Sequence, residues 1–338
     1  MTQAVLVRVR AIQSLATVLI LRCVVRAGMM REVTLAEQDW FQVYRGGGGQ
    51  VASTDKDSVA TYAYVLDAAS AARGVALGQG CRKFPNIVTC QAGPAHIELS
   101  WKSVLRFKPS GWLNDDALDA WVALLNMAAG DTYVFNSFFY TKLMEAGFDY
   151  ARVARWTLPA KLPVWLRERN MPCLRAVRKL VWIVNVRNQH WVLVVAHMEE
   201  QCLVLLDSLF GNNKSVLENI ARWLIHEAAE KLGERWCASK WRMAIAKPGD
   251  IPMQQGGVDC GVFVSMMAEA LVKNRKFTHA MCGIDRERRR MLCEIVDYAR
   301  SHEGTVLSAA EVRDMLDIGD KSKSGGGDFI DLTSDGDA

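Results

Sequence analysis

Cys260 lies between Asp259 and Gly261, behind the polar stretch Gln254-Gln255-Gly256-Gly257 and at the head of the apolar run Val262-Phe263-Val264. Residues 260–273 put Val262, Phe263, Met266, Met267 and Ala270 on one helical face, so the cysteine opens a helix. A thiol there faces the positive end of the helix dipole and unpaired backbone N–H groups, both of which favour thiolate. A thiolate nucleophile also needs a base within hydrogen-bond reach, and usually a third group to orient that base. His190, just past a polar turn, and Asp207, near the end of the following apolar run, supply both types. Adjacent antiparallel strands can bring two such positions side by side. Singly, each has a plainer explanation. A buried cysteine is commonly a small core hydrophobe, a lone histidine is usually structural, and an aspartate before Ser208 can simply accept backbone N–H groups in a turn. The combination is what makes a nucleophilic Cys-His-Asp set plausible.

The elements that must position these residues are legible around them. "LVWIVNV" (180–186), "HWVLVVAHM" (190–198) and "CLVLLDSL" (202–209) are separated by the polar turns Arg187-Asn188-Gln189 and Glu199-Glu200-Gln201, which predicts an antiparallel meander. "NDDALDAWVALLNMAA" (114–129) sets Leu118, Trp121, Val122 and Leu125 on one face of a helix that Asn114 or Asp115 can cap. A further helix is expected over 219–232. Together these define an α+β domain with a helix that starts at the thiol.

Half of the 338 residues are hydrophobic, enough to bury a sizeable core. Forty-one Lys and Arg against 37 Asp and Glu leave a net charge of +4, too little without a clustered patch to indicate nucleic acid. The nine cysteines are odd in number and contain no C-x-x-C pair, so neither a disulfide framework nor a zinc knuckle is indicated. That usage fits a reducing compartment, nucleus or cytoplasm. The first 31 residues carry Arg8, Arg10, Arg22, Arg26 and Arg31 with no acidic residue, a composition like a mitochondrial presequence, weighed here against a disordered start and not favoured. The apolar stretch 11–25 is broken by Arg22 and too short to span a bilayer, so no membrane association is expected. "RGGGGQVASTDKD" (45–57) reads as a linker, and 32–95 as weakly periodic. The expected division is an N-terminal, partly disordered region 1–95, a catalytic domain 96–302 and a flexible tail 303–338.

The motifs resemble the Ulp/SENP family of cysteine proteases that process and remove the ubiquitin-like modifier SUMO. "GWLNDDALDAW" is similar to the family's W-L-N-D-x-x-I helix start, "NSFFYTKL" (136–143) to its F-F-Y-x-K-L segment and "ARWT" (154–157) to its R-R-W-T. "NQHWVLVVAHMEEQCLVLLDSL" and "IPMQQGGVDCGVFV" are similar to its H-W-x-L strand, its D-S strand end and its P-Q-Q-x-N-x-x-D-C-G-x-F. The resemblance implies a papain-like α+β fold with a central, mostly antiparallel sheet. Cys260 becomes the nucleophile, His190 the general base and later acid, and Asp207 the group that orients the imidazole. It makes Gln254 the oxyanion-hole residue, with Gln255 the weaker choice; by itself Gln254 reads as an ordinary turn residue. Trp112 and Trp191 match tryptophans flanking a narrow tunnel that passes only side-chain-free Gly-Gly, although two core tryptophans would read alike. Asp115 matches an acid near the modifier-binding surface, and helix capping would explain it as well. Gly256 departs from the family, which usually has Asn there, and implies a looser loop. Residues 161–180 match nothing in the family pattern.

The implied function is a thiol isopeptidase or endopeptidase that cleaves after the C-terminal Gly-Gly of SUMO, needing no cofactor or metal. Its partners are SUMO and SUMO-conjugated proteins, and it acts as a monomer. A protease for another ubiquitin-like modifier or for ubiquitin, an acetyltransferase on a related scaffold, and an inactive SUMO-binding module are the alternatives. In the tail, "DFIDLTSDGD" (328–337) resembles a SUMO-interacting motif with Phe329, Ile330 and Leu332 as its apolar centre, where an unstructured acidic terminus is the plainer reading.

Overall fold

The computed structural model of the protein describes residues 31–32, 56–79, 84–128, 130–277 and 283–321. The presequence-like start, most of the glycine-rich stretch and the 328–337 motif lie outside the described residues.

A six-stranded mixed sheet forms the centre. Its strands, numbered along the chain, are β1 (Arg31–Glu32), β4 (Thr132–Phe135), β5 (Lys179–Val186), β6 (His190–His197), β7 (Cys202–Leu206) and β8 (Arg242–Ile245), in the order β1-β8-β7-β6-β5-β4. The expected meander is its heart: β5, β6 and β7 pair antiparallel, with parallel strands added on both flanks. Their side chains alternate between two cores. Val181, Ile183, Leu193, Val195 and Val204 enter one; Leu180, Trp182, Val192, Val194 and Leu203 enter the other. Because both faces are covered, the strands read as unbroken apolar runs rather than as an alternation.

Helices cover each face. On the first lie α1 (Lys56–Gln79), the short α2 (Trp101–Leu105), α3 (Asp115–Leu125), α8 (Cys260–Val272) and α9 (Ile284–Ser301); on the second lie α4 (Phe138–Met144) and α7 (Lys214–Leu232), which extends further upstream than expected. The 161–180 segment holds two single-turn helices, α5 (Val164–Arg167) and α6 (Cys173–Ala176), before it enters β5.

The folded unit is longer than expected at both ends. In α1, Val65, Ala68, Ala69 and Ala72 are fully buried at the i, i+3, i+4, i+7 spacing of a helical face. Alanine favours helix but contrasts weakly with its neighbours in hydrophobicity, which is why 32–95 looks aperiodic. A second sheet pairs β2 (Asn86–Ala92) with β3 (Ala95–Ser100) and with β9 (Thr305–Val306), so the expected boundary at 95/96 falls inside a hairpin. Past β9 comes α10 (Ala309–Lys321), started by a capping box: Ser308 Oγ accepts from Glu311 N–H at 3.1 Å while Ser308 N–H donates to Glu311 Oε2 at 2.7 Å. Residues 303–321 are therefore not a flexible tail.

Candidate active site

The turn between β5 and β6 is tight, with Arg187 and Asn188 both in the left-handed region (φ 55° and 57°) and Gln189 N–H donating to Val186 O at 3.1 Å. That primed geometry matches the twist of the two strands and puts His190 at the first position of β6. Leu193 pairs with Leu206, so the register continues to set His190 and Asp207 diagonally on one face. Asp207 lies one residue beyond β7, not within a strand, and is fully buried. His190 Nε2–H donates to Asp207 Oδ1 at 2.6 Å. The same carboxylate accepts from Leu209 N–H (2.9 Å), Gly211 N–H (3.1 Å) and Asn213 Nδ2–H (3.0 Å). These four donors fix it and hold its pKa below the ordinary value, although burial alone would raise it.

With Nε2 committed, Nδ1 is the imidazole nitrogen left for the thiol. Cys260 is fully buried at the first position of α8 and hydrogen-bonds with His190. Burial pushes the thiol pKa up, but hydrogen bonds from His190, the Trp191 backbone N–H and the Trp112 indole N–H more than offset it, leaving the thiol below its ordinary value. For His190, burial alone would lower the pKa; the hydrogen bonds and charges of Asp207 and Cys260 raise it to about 9. Both shifts run in the direction that favours a thiolate–imidazolium pair.

Gln254 is buried, and Gln255 beside it is exposed. Ser208 Oγ donates to Gln254 Oε1 at 2.6 Å, Gln254 N–H donates to Ser208 O at 3.1 Å, and Nε2 donates to Gly256 O at 2.7 Å. An amide nitrogen carries two hydrogens, so one remains for an oxyanion. At Gly256 a Cβ would lie 2.6 Å from Asp259 Oδ2, so glycine leaves room for that carboxylate. Gly261 has a similar reason, since a Cβ would meet Leu113 Cβ at 2.9 Å. The helix start is thereby seated against the Trp112-Leu113 segment.

Trp112 and Trp191 do meet beside the thiol, with ring centroids 5.4 Å apart and planes 22° apart. A peptide backbone between two rings needs about 7 Å, twice a ~3.5 Å contact, so the stack as it stands has no gap. Trp191 is fully buried and donates from Nε1 to Leu113 O at 2.8 Å, whereas Trp112 is half-buried. Asp115 does not cap α3; Asn114 does, its side chain accepting from Ala117 N–H. Asp115 accepts instead from Ser137 Oγ at 3.0 Å. Ser208 was not singled out in the sequence, although it directly follows the aspartate and carries the glutamine. Among the described residues, no group of His, Cys, Asp and Glu is arranged to hold a metal ion.

A thiol at a helix start, hydrogen-bonded to a histidine that an aspartate orients, on a mixed sheet between helices, is the arrangement of the cysteine peptidases. The comparison with known families narrows this: the Ulp1 protease family C-terminal catalytic domain matches residues 111–300, more than half of the chain, and the protein belongs to that family. The chain is 30% identical over 179 residues to ubiquitin-like-specific protease 1A of Arabidopsis thaliana, covering 50% of this chain and 34% of that protein. It is 28% identical over 190 residues to human sentrin-specific protease 2, covering 55% and 30%. The match therefore spans about a third of the length of these relatives. The solved C-terminal Ulp1 protease domain in complex with Smt3, the yeast ortholog of SUMO, superposes with a TM-score of 0.56 at 21% identity, over 75% of this chain and 99% of that one, and shows the same fold.

Proposed function

We propose that the protein is a thiol isopeptidase or endopeptidase that cleaves after the C-terminal Gly-Gly of SUMO, releasing it from target lysines or maturing its precursor. The 2.6 Å bond from His190 to Asp207, on a histidine that also bonds the Cys260 thiol, carries this reading. Cys260 thiolate attacks the terminal glycine carbonyl, and the developing oxyanion takes a hydrogen bond from Gln254 Nε2. His190 imidazolium protonates the leaving lysine amine. The neutral imidazole then takes a proton from water, which hydrolyses the thioester and frees the thiol. Trp112 and Trp191 form the wall beside the thiol that admits only glycine, Trp112 swinging off its neighbour to do so, and Asp115 faces the docked modifier.

SUMO is the modifier of choice because the relatives include a sentrin-specific protease and the solved Ulp1 domain holds Smt3, the yeast ortholog of SUMO. Hydrolysis of a SUMO–fluorophore probe by the wild type, lost in Cys260→Ser and His190→Ala with modifier binding kept, is the expected result. Activity on ubiquitin alone would move the protein to another substrate class, and no thiol-dependent turnover of any modifier would sink the reading. The protein acts as a monomer on conjugated proteins in nucleus or cytoplasm, where thiols are kept reduced. Among those residues, no helix is long and apolar enough to cross a membrane. Phe329, Ile330 and Leu332 form a second, SUMO-interacting contact. Deleting 324–338 should slow processing of poly-SUMO chains and leave a single-SUMO probe unaffected; equal chain processing would remove that contact.

A further inference from the structure

Arg288, on α9, is a fully buried charge that the mechanism above does not use. Its Nη2 donates to Asp259 Oδ1 at 2.7 Å and to Val258 O at 3.2 Å, and its Nη1 donates to Arg106 O at 3.2 Å. Among the described residues, Asp259 is the carboxylate it pairs with. A buried guanidinium needs such a partner, but any carboxylate would serve that purpose. What distinguishes this site is where its acceptors lie. Val258 and Asp259 lead directly into Cys260. Arg106 begins the turn that delivers Trp112, and its carbonyl is wedged so closely that a Cβ on Gly111 would lie 2.2 Å from it. One planar fork therefore holds both segments that converge on the thiol.

Asp259 also carries a negative charge one residue from the nucleophile. Uncompensated, it would oppose a second negative charge on Cys260. Its Oδ2 rests against the space left by Gly256, and Gly256 O in turn holds Gln254 Nε2. The guanidinium thus sits at the back of a chain of contacts that ends at the oxyanion donor.

We propose that Arg288 is a positioning residue for the thiol chemistry, which clamps the Val258-Asp259 and Arg106 segments together and cancels the Asp259 charge behind Cys260. The proposal rests on Cys260 being the nucleophile. A merely structural arginine would make loss of either partner harmful in the same sense. The clamp demands opposite signs, and the thiol's own reactivity reads them without any modifier.

The test is the pH dependence of iodoacetamide alkylation of Cys260 in the full chain, with Cys260→Ser as the blank for other thiols. The charged groups around the thiol are His190 and Asp207 from the sheet side, and Asp259 and Arg288 behind the helix start. Arg288→Met should move the acid limb up by about 0.5–1 pH unit and Asp259→Asn should move it down by about as much, while the double variant should return close to the wild type. With the SUMO probe, Arg288→Met should lose roughly 10–100-fold in kcat with KM within about twofold, and Arg288→Lys should recover part of it. If Arg288→Met does not fold by near-ultraviolet circular dichroism, Asp259→Asn decides alone, because a limb unmoved or moved upward overturns the proposal. Shifts of the same sign in both single variants overturn it as well. A wild type that alkylates with a low acid limb but cleaves no modifier would remove the function proposed above and still leave this clamp tested.

Discussion

At the scale of single residues, the site is a matter of which group holds which proton. The His190 pKa, raised to about 9, and the lowered Cys260 pKa both favour a thiolate–imidazolium pair. In the proposed mechanism, activity should therefore fall on the acid side as the thiolate takes up a proton, and on the alkaline side as His190 loses the proton destined for the leaving amine. The alkaline limb of kcat/KM for a SUMO–fluorophore probe is expected near pH 9; an alkaline limb near the ordinary histidine value of about 6.5 would show that Asp207 does not support the imidazolium. Stability has its own sign. A raised histidine pKa contributes stability that is complete below about 6.5 and is lost as pH climbs through the folded value. His197 runs the other way: burial lowers it to about 3, so it weakens the fold progressively as pH drops from about 6.5 toward that value. Asp207→Asn keeps the shape but withdraws the charge that four donors surround, and should cut kcat by about 10³–10⁴-fold by analogy with other triads. Full activity in that variant would assign the orienting role elsewhere. Cys260, His190 and Asp207 were legible in the sequence because their chemistry is unusual in combination. Arg288 was not: it stands in a run of arginines, 29 residues from Asp259, and no spacing rule joins an arginine to a carboxylate on another element.

At the scale of elements, the meander and the helix that starts at Cys260 were readable because turn residues bound them, and because β5 to β7 are apolar on both faces. The primed turn that places His190 was not, since Arg187 and Asn188 give no glycine signal for left-handed backbone. The tryptophan pair divides along the same line. Sequence matched both rings to one tunnel, whereas the structure gives them different surroundings. Trp191 is part of β6, fully buried and bonded to Leu113 O, so Trp191→Ala should cost about 3–5 kcal/mol of stability. Trp112 sits on the turn before α3, half-buried, and its indole N–H reaches the thiol. Trp112→Ala should leave the melting temperature within a few degrees, a change of about 1 kcal/mol or less, and reduce turnover of a Gly-Gly-ended modifier. Trp112→Phe, which keeps the ring and loses the donor, should shift the acid limb of alkylation upward while restoring part of the turnover. Thermal melts of the two alanine variants settle the division; equal loss of stability would make both rings core.

At the scale of the whole molecule, the question is how much chain the catalytic centre needs. The sequence placed the domain start at residue 96, where strong periodicity begins, but hydrophobic contrast measures how amphipathic an element is, not whether it is buried. Helix α1 buries Val65 and three alanines, and the 86–92 strand buries Ile87 and Val88 and lies between β3 and β9. Removing residues 1–95 would strip these from the core that also holds Cys260, Phe263 and Val296, and leave β3 and β9 with no strand to pair with. Burial of each Val or Ile is worth about 1.5–3 kcal/mol, and unpaired strand edges invite aggregation. Three such side chains plus the alanines approach the roughly 5–15 kcal/mol of net stability that a folded domain has. Residues 96–302 alone should therefore fail to melt cooperatively and should accumulate as aggregate. A chain of residues 56–321 loses only the two-residue edge strand β1 and retains α1, the other five strands of the central sheet, the second sheet and the capping box at Ser308, and should match the full chain in melting temperature and in single-SUMO probe turnover. The comparison separates two ideas of the upstream helix. If residues 96–302 melt cooperatively at the temperature of the full chain, α1 is an appendage; if they do not and 56–321 does, the helix is a structural wall of the catalytic domain, and the boundary belongs before Lys56.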